Sequence, residues 1–309
     1  MKQISILLIL AFFLFGFSLK QNNVSTPTSS VLSSTPPNIS SVDSTKNNIS
    51  KTKIKERIKN GEILKGAVIN IAHPTMIEVV CAAGADFLFL DFEHGLRDYN
   101  DIGQAIMTAE LSKVPTLVRL GERSANLVER MLDGGATGFL FPHVETAEEA
   151  AELVSWCQYK PLGVRGSGFA RASINHTGNE YDRCQQASKE VVCIMIIESL
   201  KGKENLSKIL AVEGVTGVAI GPGDISMELG LNDWKHPKVT QILDEMAAIV
   251  KSSPEKAFLR LSLTADEAAK NVDSGANMIL LTHDWQLIKG LYSGLFRDFT
   301  NKINQRNKK

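Results

Sequence analysis

The sequence has no surplus of either charge. Its 34 basic side chains are matched by 34 acidic ones over 309 residues. That excludes a protein that grips nucleic acid by neutralising phosphates, and no nucleic-acid partner is expected. Cysteine is scarce: Cys81, Cys157, Cys184 and Cys193 form no C-x-x-C pair and have no histidine at zinc-ligand spacing. The spacing thus offers no sign of a structural zinc site or a disulfide framework. Buried thiols remain, above all Cys81 and Cys193, which lie in apolar runs. No glycine-rich phosphate loop follows the first apolar segment, "GAVINIAHPT", so the chain lacks the mark of a doubly wound nucleotide-binding sheet.

Residues 21–50 nearly lack acid: Asp43 stands alone beside 21 Ser, Thr, Asn or Pro residues. Such a stretch cannot bury enough apolar surface to offset its ordering entropy, so residues 20–52 read as a disordered linker. The sequons at Asn23, Asn38 and Asn48 fall within it. Ahead of it, "MKQISILLILAFFLFGFSLK" places Lys2 before an apolar run from Ile4 to Phe17, followed by the small residue Ser18. Residues 1–19 therefore read as a signal peptide or signal anchor, with export or entry into the secretory pathway as the expected destination. The run is shorter than the ~20 residues of a spanning helix. An uncleaved N-terminal membrane anchor and a bipartite organelle-import leader stay open as alternatives. The remaining residues 53–309 suit one large α/β domain or two small ones.

From Gly66 onward, short apolar runs alternate with amphipathic segments. The runs are "GAVINI" (66–71), "DFLFLD" (86–91), "PTLVRL" (115–120), "GFLFPHV" (138–144), "VVCIMIIE" (191–198), "GVAIGP" (217–222), "AFLRL" (257–261) and "NMILL" (277–281). Continuous rather than alternating hydrophobicity suits strands covered on both faces of a parallel sheet. Between them, Thr75, Thr146 and Thr264 each precede a Glu by three residues, the spacing of a capping box. "SANLVERMLDGG" starts at Ser124, carries Leu127, Val128, Met131 and Leu132 on one face, and stops at Gly134. Eight strands interleaved with helices predict a (β/α)8 TIM barrel.

Barrel chemistry sits at the C-terminal ends of strands. Those ends carry Asp91, Glu93, His94, Arg119, Pro142, His143, Glu198 and the turn "GPGDIS" with Asp224. Glu198 and Asp224 are hard oxygen donors at the ends of adjacent runs. They suit Mg²⁺ or Mn²⁺, with Co²⁺ as a further candidate, rather than structural zinc. The "GPGD" turn precedes a helix and could bind a substrate carboxylate through backbone N–H groups. Arg119 could stabilise an oxyanion beside the metal. His94 is the acid/base candidate, with Asp91 and Glu93 holding it and its loop in place. These parts suit a 2-oxo acid substrate and its enolate. His73, His176, His236 and His283 are expected to face solvent, and His143 lies at the rim without an assigned role.

The blocks "AGADFLFLDFEHG", "MLDGGATGFLFPHV", "YKPLGVRGSGFARA", "IIES" and "GVTGVAIGPGDISMELG" resemble, in order, those of the HpcH/HpaI aldolases. These are metal-dependent class II pyruvate aldolases of the 4-hydroxy-2-oxoheptanedioate aldolase kind. The resemblance runs from about Ile63 to about Leu281 and implies a (β/α)8 barrel assembled as a homotrimer or homohexamer. It implies Glu198 and Asp224 as metal ligands, Arg119 on the enolate oxygen, and His94 in proton transfer, paired with Asp133 from a neighbouring subunit. Gly221, Pro222 and Gly223 would shape the carboxylate-binding turn. "VRGSGFARA" would form a loop placing Arg165 and Arg171 near the site or the subunit contact. Three departures stand out: Ile196 replaces a glutamine frequent two residues before the metal-binding Glu, "SSPEKAFLRLSL" lacks a glycine common in relatives, which suggests a remodelled late barrel, and a secretory-type leader is unusual among relatives that work in the cytoplasm. Carbon–carbon condensation or lysis on oxaloacetate or an acyl-CoA is the second reading, and a non-catalytic exported barrel the third.

Overall fold

Apolar runs with few polar interruptions are stable only where both strand faces are covered, and the tertiary structure uses them in that way. The computed structural model describes residues 53–174 and 178–307. The expected leader and linker, and His176, lie outside the described residues. Eight parallel strands close into a barrel in sequence order: β1 (Leu64–Ile69), β2 (Phe87–Asp91), β3 (Thr116–Arg119), β4 (Gly138–Phe141), β5 (Val192–Ile197), β6 (Gly217–Ile220), β7 (Ala257–Ser262) and β8 (Met278–His283). Alternate side chains separate to the two faces. In β5, Val192, Ile194 and Ile196 join the barrel interior, while Cys193, Met195 and Ile197 pack outward beneath the helices.

The helices in chain order are α1 (Ile54–Lys59), α2 (Pro74–Ala82), α3 (Tyr99–Leu111), α4 (Ala125–Gly134), α5 (Ala147–Cys157), α6 (Glu180–Glu190), α7 (Leu200–Ala211), α8 (Pro222–Glu228), α9 (Pro237–Lys251), α10 (Ala265–Asp273) and α11 (Asp284–Arg306). Ser124, Thr146 and Thr264 cap α4, α5 and α10, accepting from the N–H groups of Leu127 (3.4 Å), Glu149 (3.2 Å) and Glu267 (3.1 Å). Thr75 does not cap. His73 does, its Nδ1 accepting from Thr75 N–H at 3.2 Å, because Pro74 at the first helical position has no N–H to satisfy. After α4, Gly135 turns the chain at φ 108°, a conformation costly for a residue with a Cβ.

At the N-terminal end of the barrel, α1 inserts Ile54 and Ile58 among Leu64, Phe87 and Met278 and closes the interior from below. A Cβ on Gly66 would lie 2.6 Å from the Phe87 ring, so the glycine leaves room for the phenylalanine that fills this layer. The late barrel closes in order: β7 pairs with β8, and β8 returns to β1 with a register shift between Gly66 and Val68. β4 stops at Phe141 because Pro142 cannot donate to a ladder, and β8 runs on to His283, two residues past its apolar run. All four cysteines are buried thiols. Among the described residues no helix is long and apolar enough to cross a membrane.

Candidate active site

Strand register decides which rim residues meet. Asp91, the last residue of β2 and 1% exposed, lies opposite Arg119, the last of β3. Arg119 Nε donates to Asp91 Oδ1 and Nη2 to Oδ2, both at 3.0 Å. Oδ1 also accepts the N–H groups of Glu93 (3.2 Å) and His94 (3.3 Å), which shapes the turn leaving β2. Burial pushes the Asp91 carboxyl up, but Arg119 and those two N–H groups outweigh it and hold the group below the usual range. Glu93 approaches three rim side chains. Its Oε2 is 3.1 Å from Arg119 Nη1 and 3.5 Å from His94 Nε2, and its Oε1 is 3.7 Å from His143 Nε2. Asp91 and Glu93 thus contact Arg119 as well as the turn that carries His94.

Glu198 follows β5 directly and is 7% exposed. Asp224 lies exposed in the first turn of α8, opened by Gly221 as cap and Pro222 and Gly223 as its first residues. The β5–β6 register, Ile197 opposite Ile220, sets these two strand ends side by side. Glu198 Oε1 accepts from the backbone N–H of His143 at 2.7 Å and lies 3.0 Å from its Nδ1. A Cβ on Gly221 would stand 2.8 Å from Glu198 Oε2, so only glycine admits the carboxylate there. Burial pushes the Glu198 carboxyl up to about 6. The neighbouring Asp224 charge adds to that rise, and His143 opposes it.

Among the described residues neither carboxylate has a lysine or arginine partner. A buried anion beside a second anion is costly unless a cation neutralises the pair. That donor set, two hard oxygens with no lysine or arginine to neutralise them, fits a divalent metal that keeps other positions for water and substrate. No group of three or more His, Cys, Asp or Glu side chains forms a ready-made cage among the described residues. Ile196 lies in the barrel interior, two residues before Glu198 and on the same strand face.

His94 reaches the rim with its side chain 72% exposed. His283 corrects the expectation of a solvent-facing residue. It ends β8, its Nδ1 lies 2.7 Å from Asn70 Oδ1, and burial lowers its pKa, with Asp91 and Asp284 opposing and Arg119 assisting. Asp284 beside it accepts the N–H groups of Asn70 (3.1 Å) and Ile71 (2.8 Å) and so ties the end of β1 to that of β8. Carrying "NMILL" on through "TH" would have placed His283 at a strand end.

Asp133 is not brought to His94 within one chain. It lies in the last turn of α4, a helix that leaves the C-terminal mouth and returns toward the opposite face before β4 begins. There Arg165 Nη2 holds Asp133 Oδ1 at 2.7 Å, with the Arg165 guanidinium 4.3 Å from the centre of the Tyr159 ring. Arg171 donates to the Gly134 carbonyl at 2.9 Å and pairs with Glu110. The two arginines of "VRGSGFAR" therefore fix the end of α4.

The model of the family described as HpcH/HpaI aldolase/citrate lyase matches residues 66–289. A 5-keto-4-deoxy-D-glucarate aldolase from Klebsiella pneumoniae is 32% identical over 262 residues, covering 83% of this chain and 97% of that protein. A hydroxypyruvate/pyruvate aldolase from Roseovarius nubinhibens is 32% identical over 231 residues, covering 74% of this chain and 90% of that protein. The crystal structure of an HpcH/HpaI aldolase from Desulfitobacterium hafniense superposes with a TM-score of 0.75 at 28% identity, covering 80% of this chain and 96% of that one. A closed eight-stranded parallel barrel, a matched segment spanning nearly all of it, and relatives named as aldolases make this chain a member of the HpcH/HpaI aldolase/citrate lyase family of carbon–carbon lyases.

Proposed function

We propose that the chain is a divalent-metal-dependent aldolase that cleaves a 4-hydroxy-2-oxo acid to pyruvate and an aldehyde, or condenses the two. The observation that carries this reading is the carboxylate pair Glu198 and Asp224, with no lysine or arginine partner among the described residues, at the same barrel mouth as Arg119. Cleavage breaks the C3–C4 bond. The 4-hydroxyl proton leaves to a base, the bonding pair moves toward the 2-oxo oxygen, the aldehyde departs, and a proton returned to C3 completes pyruvate. A cation held by Glu198 and Asp224, of the Mg²⁺ or Mn²⁺ type, would supply positive charge to the 2-oxo acid.

Arg119 binds and orients the developing oxyanion. A guanidinium has five N–H donors, so Asp91 and Glu93 do not exhaust it, and Asp91 pins its plane. His94, exposed at the rim beside Glu93, moves the proton. The Gly221–Pro222–Gly223 turn receives the substrate carboxylate on backbone N–H groups of α8. Asp133 completes the site of a neighbouring subunit in a homotrimer or homohexamer. Support for such an assembly comes from α11, 23 residues long, which leaves Leu287, Leu291, Leu295, Phe296 and Phe299 more than half exposed; a contiguous apolar face of that kind marks an interaction surface.

Exchange of the pyruvate methyl protons in D₂O, followed by NMR with and without Mn²⁺ or Mg²⁺, tests the reading whatever aldehyde the chain accepts. Metal-dependent exchange that disappears in Glu198→Ala is the expected result. Equal exchange in both proteins, or none with either metal on folded wild-type chain, refutes it.

A further inference from the structure

His143 belongs to no part of the chemistry above, yet its main chain and its ring both converge on Glu198. It follows Pro142, where β4 ends, and its φ is +55°, a left-handed conformation unusual for a residue with a side chain. That conformation coincides with a backbone N–H aimed at Glu198 Oε1, 2.7 Å away, and a ring Nδ1 3.0 Å from the same oxygen. The turn is held from behind. Arg123 Nη2 donates to the Pro142 carbonyl at 3.4 Å and to that of His143, while Arg123 Nη1 pairs with Glu149 at 3.4 Å. Val144 N–H donates to the Ile196 carbonyl at 3.3 Å and fastens the turn to β5. Glu198 Oε2 lies on the other side, against Gly221 and toward α8, where Asp224 stands.

We propose that His143 is a positioning residue of the metal site: its N–H and ring together occupy Glu198 Oε1 and leave Oε2 to bind the divalent cation beside Asp224. The inference rests on the reading of Glu198 as a metal ligand. The N–H makes the hydrogen bond to Oε1, and the ring, with Nδ1 3.0 Å from the same oxygen, covers that side of the carboxylate as an electrostatic neighbour rather than as a metal ligand. Groups that orient a metal ligand from behind are worth roughly 10–100-fold in metal affinity. The His143 ring is 64% exposed, which places its share near the low end, about tenfold.

The test is Mn²⁺ binding to the full chain, followed by loss of the free-ion EPR signal, in wild type, Glu198→Ala, His143→Gly and His143→Asn, each checked for fold by circular dichroism. His143→Gly keeps the backbone N–H and relieves the left-handed φ, so it removes the ring alone. It is expected to bind Mn²⁺ about tenfold more weakly and to recover wild-type methyl exchange when Mn²⁺ is saturating. Asparagine tolerates the left-handed region and can donate an amide hydrogen, so His143→Asn is expected to lie between the two. An unchanged Mn²⁺ affinity in His143→Gly overturns the proposal, as does an exchange defect that excess Mn²⁺ does not repair. Direct ¹⁴N coupling to Mn²⁺ in wild type, lost in the variant, overturns it too, because the ring would then be a ligand. A wild-type chain that binds no Mn²⁺ defeats the metal-ligand reading, and this inference with it.

Discussion

Arg119 lies side-on to Asp91 across β3 and β2, with both N–H···O bonds at 3.0 Å, and the carboxylate that fixes it is 1% exposed. Such a fork sets the plane of the guanidinium as well as its position, and a lysine ammonium cannot reproduce it. Arg119→Lys is therefore expected to keep its fold but lose roughly 100-fold or more in metal-dependent methyl exchange, the range for removing an oxyanion donor. Asp91→Asn is expected to cost about 3 kcal/mol in urea unfolding, because it removes the two-pronged carboxylate partner of a largely buried guanidinium and leaves it Glu93 alone. A loss below about 1 kcal/mol would place the pair with exposed ion pairs.

Acid sensitivity is expected at the opposite end of the barrel. Burial pushes the Asp86 carboxyl up, but Lys65, through its N–H and its ammonium, and Arg57 outweigh it and lower the pKa. A carboxyl whose folded pKa is depressed adds stability that is complete above its unfolded value, near ~3.9, and is lost as pH falls through the folded one. Asp86→Asn is expected to cost about 2 kcal/mol at neutral pH, between the exposed and buried limits. It should also flatten the fall in stability below about pH 4. Urea midpoints measured from acid to neutral pH check both.

Gly66→Ala drives a methyl group into the Phe87 ring. The expected cost is about 2 kcal/mol, typical of overpacking. Adding Phe87→Leu should restore part of it, since residues in contact are not additive. Guanidinium unfolding of the two single variants and the double variant measures the coupling.

If Asp133 serves a neighbouring site, inactivity should be complemented in mixed assemblies. Asp133→Ala and His94→Ala are each expected to lose at least about 100-fold in exchange. Co-refolded together, they should regain activity at sites that take both intact residues. Failure of the mixture, with mixed oligomers shown by native mass spectrometry, would place the Asp133 effect within its own chain. Leu291→Glu, on the exposed face of α11, is expected to shift the assembly toward monomer in light scattering.

The strand runs, the caps at Ser124, Thr146 and Thr264, and the set of strand-end polar residues were legible along the chain, because periodicity and capping are local properties. The eightfold alternation then leaves few ways to bury every run, and the barrel follows. Boundaries slipped where one residue overrode the pattern, as Pro142 did for β4 and Pro74 for the cap of α2. Pairwise meetings at the rim were not legible. Arg119 reaches Asp91 through the register between β2 and β3, and His143 reaches Glu198 from a strand 55 residues away in sequence. His283 joins the rim because β8 outruns its hydrophobic segment, and α1 plugs the barrel with only two buried isoleucines, Ile54 and Ile58. Side-chain chemistry is a property of each residue, but register and curvature are set by the packing of the whole sheet, so the candidate residues could be named from the chain while their partners emerged only when the barrel closed.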